Sequence, residues 1–259
     1  CIGFITFFIY TFMDKALDKE IGEDGAEEVS EEFKVSDIVA ILTNPGFIAI
    51  AGLCVLFYSA IFPFQKFATD MLASKLDVDI KTASQYVSYF PIGAMVLTPF
   101  IGFYLDKWGK GASLMMYGAI LLTVSHLIFA LVPAESFTAP VALATIVILG
   151  VAFSLVPASM WPSLPKVVED RYLGSAYGLT FWIQNMGLLG VPILIGWALS
   201  ASNPGVSEQI AAGVDGVKYN YMIPELIFAG FGLLAFLLSF YLKFIDRKKG
   251  YGLELPNKN

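Results

Sequence analysis

The sequence predicts an all-α membrane protein, on three observations. Of its 259 residues, 57% are apolar and only 15% charged, with a mean hydropathy of +0.70, whereas a soluble domain carries about 25% charged residues. Apolar runs close to the roughly 20 residues that cross a bilayer recur along the chain. Between them, Lys and Arg gather in alternate loops, as they do around membrane spans.

In chain order, the run CIGFITFFIYTFM at residues 1–13 reads as the end of a span. It begins with neither a Met nor the charged n-region of a signal peptide, so the chain is expected to be a piece of something longer. Residues 14–44 read as an interdomain linker, because seven of the 22 acidic residues fall within 20–32, too polar a stretch to fold alone. Near its end KVSDIVAILTNPGF predicts a short amphipathic helix, with Ser36 as N-cap, Val39 and Leu42 on one face, and Asn44-Pro45 as the stop. Residues 45–245 hold six complete spans, at about 46–64, 86–105, 112–133, 139–161, 174–199 and 221–242, and residues 246–259 form a tail. Apart from Tyr and Cys, His126 and Glu225 are the ionisable side chains within these cores.

Charge placement orients the spans. Twelve of the 16 Lys and Arg lie on the side of the linker and tail and four on the other, so linker and tail are expected to be cytoplasmic in an integral, multi-pass protein. The net charge of −6 argues against nucleic acid as a partner. Two cysteines, Cys1 and Cys54, both in apolar runs, offer neither a disulfide framework nor a zinc site. No nucleophile-base pair or phosphate loop suggests an enzyme, and no metal or cofactor is expected.

A weak internal repeat links the second and fifth spans: Pro99 precedes Gly102-Phe103-Tyr104-Leu105, and Pro192 precedes Gly196-Trp197-Ala198-Leu199. Copies at equivalent positions in successive triplets end on opposite sides of the membrane, as in three-plus-three inverted repeats.

The turn GFYLDKWGKG resembles the cytoplasmic loop signature of the major facilitator superfamily at Gly102, Asp106, Lys107, Gly109 and Lys110. Gly111 stands where a further basic residue is often found. The resemblance implies that these residues gate the conformational change, with Asp106 locking one state across the two halves of the molecule. A longer series in order, FYSAIFPF, YLDKWGK, VSH, WPSLPKVVEDRYLGSAYGL and IQNMGL, resembles the C-terminal half of the major facilitator superfamily domain-containing protein 1 branch, whose animal members are lysosomal dipeptide carriers. It implies twelve spans in two halves, with residues 1–13 ending the sixth span and this chain lacking the N-terminal six-helix half. It further implies that the first, second, fourth and fifth complete spans line a central cavity, with the third and sixth outside.

Polar side chains within such spans are the candidates for substrate contact. Tyr177 and Gln184 are seven apart on one helix face, with Asn185 adjacent; Tyr58 and Gln65 are also seven apart; Ser154 and Trp161 lie in a proline-broken stretch. Gln184 leads, since its amide both donates and accepts. His126, on a peripheral span, is expected to bond between helices, and Glu225 to sit at the outer interface at a helix start. Gly174 and Gly178 form a small-xxx-small pair suited to close helix approach. The expected function is transport of a small polar solute, short peptides among the candidates, by alternating access, as a uniporter or proton-coupled carrier. The alternative is a non-transporting receptor or scaffold of the same fold.

Overall fold

The computed structural model describes residues 2–21 and 35–257. Helix α1 (Ile2–Ile21) belongs to a first unit, residues 1–35, and everything from Ser36 onward forms a second. α1 runs on through Asp14 to Ile21, eight residues past the expected end of the opening run. The remainder of the acidic stretch, 22–34, lies outside the described residues.

Helix α2 (Val35–Leu42) begins one residue before Ser36, so Ser36 is a helical position and not the N-cap. Its inward side chain is Ile41, which is fully buried, while Val39 and Leu42 are exposed; the face they share points away from the bundle. The stop at Asn44-Pro45 is also a start. Asn44 Oδ1 accepts from the amides of Gly46 at 2.9 Å and Phe47 at 3.4 Å, capping α3 (Pro45–Leu76), whose first residue is the proline.

Five further long helices follow: α4 (Ile80–Trp108), α5 (Gly111–Leu131), α6 (Ala139–Val167), α7 (Leu173–Ser202) and, after the short α8 (Val206–Ala211), α9 (Met222–Lys249). With α3 they are the six helices among the described residues that are long and apolar enough to cross a membrane. The expected spans coincide with them, and the main difference is length. α3 continues 12 residues beyond Phe64, because its last turns bury Ala68, Met71 and Leu72 while presenting Lys66 and Asp70 outward. A hydropathy window sees bilayer depth; the helix ends where its amphipathic packing does. Asp77, in the left-handed conformation (φ 55°), terminates α3, and Asp79 caps α4 by accepting from Thr82 N at 3.0 Å.

The packing repeats itself. α4 lies on α6 as α7 lies on α3, α5 packs on α6 as α9 packs on α3, and α5 and α9 meet each other. Exchanging α3, α4, α5 with α6, α7, α9 reproduces this pattern, which is a three-plus-three inverted repeat because α3 and α6 cross in opposite directions. Glycines admit the crossings: a Cβ on Gly118 would meet Val156 at 2.5 Å, one on Gly232 would meet Thr123 at 2.6 Å, and one on Gly187 would meet Val55 at 2.5 Å. Gly174 and Gly178 have nothing near their Cβ positions. The small-xxx-small pair therefore brings no neighbour close among the described residues, and Gly187 supplies the approach of α7 to α3.

Two faces result. Asn44 donates to Val167 O at 2.6 Å and accepts from Tyr251 at 3.1 Å, joining the start of α3 to the ends of α6 and α9. On the opposite face Lys75 of α3 donates to Phe129 O of α5, Tyr221 pairs with Asp70, and Lys218 with Asp77.

Candidate functional site

Seven prolines lie inside the membrane-length helices, three of them, Pro157, Pro162 and Pro165, in α6. Each removes one N–H and leaves the carbonyl four residues earlier without its helical donor. For Pro165 that carbonyl is Trp161 O, and the Tyr177 hydroxyl of α7 donates to it at 3.2 Å. This is how irregular backbone is tolerated at membrane depth, by a partner from a neighbouring helix.

The same tryptophan faces α3. Trp161 Nε1 donates to Tyr58 Oη at 3.1 Å, and its ring stacks on Tyr177 (6.0 Å between centroids) and on Phe181 (4.8 Å). Tyr58 in turn stacks on Phe62 at 5.3 Å and meets Phe153 edge-on. Gln184, one turn beyond Phe181, accepts from the Cys54 thiol of α3 at 3.3 Å. Its amide nitrogen has no hydrogen-bond partner among the described residues, leaving two donors unused. Three helices thus bring Tyr58, Trp161, Tyr177 and Gln184 into one continuous group, together with Phe181 and Cys54.

The other expected residues are placed differently. Gln65 is two turns further along α3, half-buried and without a hydrogen bond in the described residues. Asn185 is exposed and bonds the Phe181 carbonyl of its own helix at 2.8 Å. Ser154 is buried between α6 and α4, donating to Gly150 O at 3.0 Å with Ala94 O at 3.5 Å. Cys54, from which neither a disulfide nor a zinc site was expected, is the partner of Gln184; its position one turn before Tyr58 on the same face was the available signal.

His126 and Glu225 meet each other. Glu225 stands at a helix start as expected, in the first turn of α9, but it is buried there, with its Oε2 2.7 Å from His126 Nδ1 on α5. The imidazole lies among Phe64, Phe129 and Phe228, and its Nε2 is buried without a partner among the described residues. The expected interhelical bond of His126 has Glu225 as its other end, 99 residues away.

The turn between α4 and α5 is built on positive φ. Gly109 (φ 72°) ends α4 with its N–H on Leu105 O at 3.0 Å, and Lys110 (φ 72°) precedes α5 without a side-chain cap. Lys107 Nζ sits 4.7 Å over the Trp108 ring, Asp106 is half-buried, and Gly102 faces open space.

The profile of the Major Facilitator Superfamily matches residues 1–192 and, in a second overlapping placement, 47–255. The chain belongs to the major facilitator superfamily. Lysosomal dipeptide transporter MFSD1 of Mus musculus is 27% identical over 245 residues, 95% of this chain and 46% of the mouse protein. MFSD1 of Gallus gallus is 31% identical over 186 residues, 72% of this chain and 39% of its own length, and MFSD1 of Danio rerio 29% over 249 residues, 94% and 47%. The chain spans about half the length of these curated relatives. No solved structure matches. Within the superfamily layout, the Tyr58–Trp161–Tyr177–Gln184 group belongs to the first, fourth and fifth complete spans, and the His126–Glu225 pair to the third and sixth.

Proposed function

We propose that the chain is the C-terminal half of a secondary carrier that moves a small polar solute, of the size and chemistry of a short peptide, by alternating access. The observation that carries this is the convergence of Tyr58, Trp161, Tyr177 and Gln184 from α3, α6 and α7, spans that the family resemblance assigns to the central cavity. The relatives named as dipeptide transporters support the substrate class. In this reading the free Gln184 amide donates to a peptide carbonyl, the Tyr58 hydroxyl supplies a second polar contact, and the Trp161 and Phe181 rings cover the apolar part of the solute. Gln65 and Asn185 extend the polar lining, while Ser154 serves the packing of α4 on α6. Residues 1–13 and the linker to residue 44 join the other half. In the same reading Asp106, Lys107 and Lys110 are on the cytoplasmic face, Gly109 shapes the turn that gates the rocking of the halves, and Gly102 is an open position on α4 before it.

Both carboxylates buried among the described residues, Glu225 and Asp246, belong to the peripheral α9, which favours a proton-coupling group, if there is one, in the other half. The test is ligand-linked stability of the purified full-length protein. A dipeptide present at 100 times its Kd raises unfolding stability by about 2.7 kcal/mol, and Gln184→Ala removes that shift without lowering the unliganded melting temperature by more than a few degrees. Stabilisation that survives Gln184→Ala and Tyr58→Phe places the peptide elsewhere and leaves this group as core packing, as in a receptor or scaffold.

A further inference from the structure

Helix α5 starts without a cap of its own: Lys110 contributes no side-chain hydrogen bond to the first turn. The first amides of a helix have no partner within it, and here the segment after α9 supplies them. Gly111 N donates to Leu253 O at 2.9 Å and Lys110 N to Glu254 O at 3.1 Å. The Glu254 carboxylate takes Ser113 N at 2.7 Å with one oxygen and Ser113 Oγ at 2.8 Å with the other, and lies 3.7 Å from Lys243 Nζ of α9. An acidic side chain at a helix N-terminus also meets the positive end of the helix dipole.

The segment is held along its length. Leu253 is fully buried, and its N–H donates to Asp246 Oδ1 at 3.1 Å. Lys166 at the end of α6 donates to Gly252 O at 3.3 Å and Leu255 O at 3.1 Å. Asn257 N reaches Leu105 O at 3.3 Å. The two glycines of the turn make room for it: a Cβ on Gly109 would collide with the Glu254 and Leu255 backbone, and one on Gly111 would stand 2.8 Å from Leu253 O. Gly111 is the position at which the turn departs from the superfamily signature, where a basic residue is often found. The volume such a side chain's Cβ would need is occupied by the carbonyl that caps α5.

We infer that residues 251–257 form a strap that fixes the α4–α5 turn to the ends of α6 and α9, with Glu254 as its positioning residue, and that Gly111 stands in the signature to admit it. The inference rests on the reading of Asp106, Lys107 and Lys110 as the gating turn, because the strap makes that turn move as one body with the six-helix unit. The strap bonds none of Tyr58, Trp161, Tyr177 and Gln184 among the described residues, so loosening it alters how fast the carrier changes state and leaves half-saturation unchanged.

The test uses the full-length protein in proteoliposomes and hydrogen exchange of the peptide covering 106–116. Replacing 251–257 by a Gly-Ser segment, or Glu254→Ala, is expected to speed exchange at Lys110, Gly111 and Ser113 by about tenfold or more. Glu254→Gln, which keeps an acceptor for Ser113 and loses the charge pairing with Lys243, falls between. Gly111→Lys, restoring the usual residue type, behaves like the replacement. Maximal dipeptide counterflow changes severalfold in these variants at constant KM. Unchanged exchange overturns the strap whatever transport does. Faster exchange with transport altered by Asp106→Asn but by none of the strap variants overturns the positioning role of Glu254. Faster exchange with transport indifferent to Asp106→Asn as well overturns the gating reading and reduces the strap to a structural clasp.

Discussion

Replacing His126 by Ala separates two accounts of the α5–α9 contact. The imidazole and the Glu225 carboxylate are 2.7 Å apart with side-chain exposures of 0% and 2%, so no water replaces the lost partner from bulk. An ordinary interhelical hydrogen bond in a membrane protein is worth about 0.6 kcal/mol and at most about 1.7. Removing one member of a buried ionisable pair costs about 3 to 5 kcal/mol, because the survivor is left desolvated and unpaired. The ring also fills space between Phe64, at 5.1 Å, and Phe228, at 5.2 Å, so the truncation leaves a cavity that adds to the loss. At about 2 to 4 °C per kcal/mol for a domain of this size, the fall in melting temperature is on the order of 10 °C. The melt is followed by tryptophan fluorescence of the detergent-solubilised full-length protein. The decisive comparison is the double variant His126→Leu/Glu225→Met, which replaces the pair by apolar groups of similar volume and regains most of the loss, since no charge is left stranded. A double variant whose loss equals the sum of the singles, or a His126→Ala shift of only a degree or two, refutes the reasoning.

Three further outcomes follow from the geometry. Tyr177→Phe strips the hydroxyl that satisfies Trp161 O and costs about 1 kcal/mol; in a Pro165→Ala background, where the helix regains its own N–H donor for that carbonyl, the same change is close to neutral in thermal melts. Gly187→Ala forces α7 away from Val55 and Ser59 and destabilises by about 1 to 3 kcal/mol, whereas Gly178→Ala, with open space at its Cβ, leaves the melting temperature within a degree or so and serves as the control. The hydrogen bonds from Thr82 hold the Asp79 carboxyl below the usual carboxylate range, so its contribution is complete above its unfolded pKa of about 3.9 and is lost as pH falls through the lower folded value. Hydrogen exchange at Thr82 and Ala83 in Asp79→Ala therefore exceeds wild type near neutral pH, and the difference closes in strong acid.

The six membrane-length helices were legible because burying apolar side chains in lipid leaves a long, nearly charge-free signature at each one. Their ends were less so: α3 presents Lys66 and Asp70 outward while its other side still packs, and average hydropathy discards the amphipathic turn that a face-by-face count would keep. Within the spans, Tyr58, Trp161, Tyr177 and Gln184 stood out as polar groups in an apolar context. Their partnership depends on a proline freeing one carbonyl and on three helices meeting, neither of which a linear spacing encodes. Glu225 was visible as a charge beside Pro224, yet its environment is decided by His126 on another helix, and burial cannot be read from the two neighbours of a residue. Residues 251–257 offered no pattern, because their role is carried mainly by backbone groups and one carboxylate.

The central claim is that the Tyr58–Trp161–Tyr177–Gln184 group contacts a transported short peptide. Counterflow of labelled dipeptides into proteoliposomes of the full-length protein tests it most directly, with wild type beside Gln184→Ala. The account predicts accumulation by wild type and a reduction of about tenfold or more in kcat/KM for the variant, the loss of one donated hydrogen bond to the solute. No counterflow with any dipeptide, or counterflow indifferent to Gln184, would contradict it.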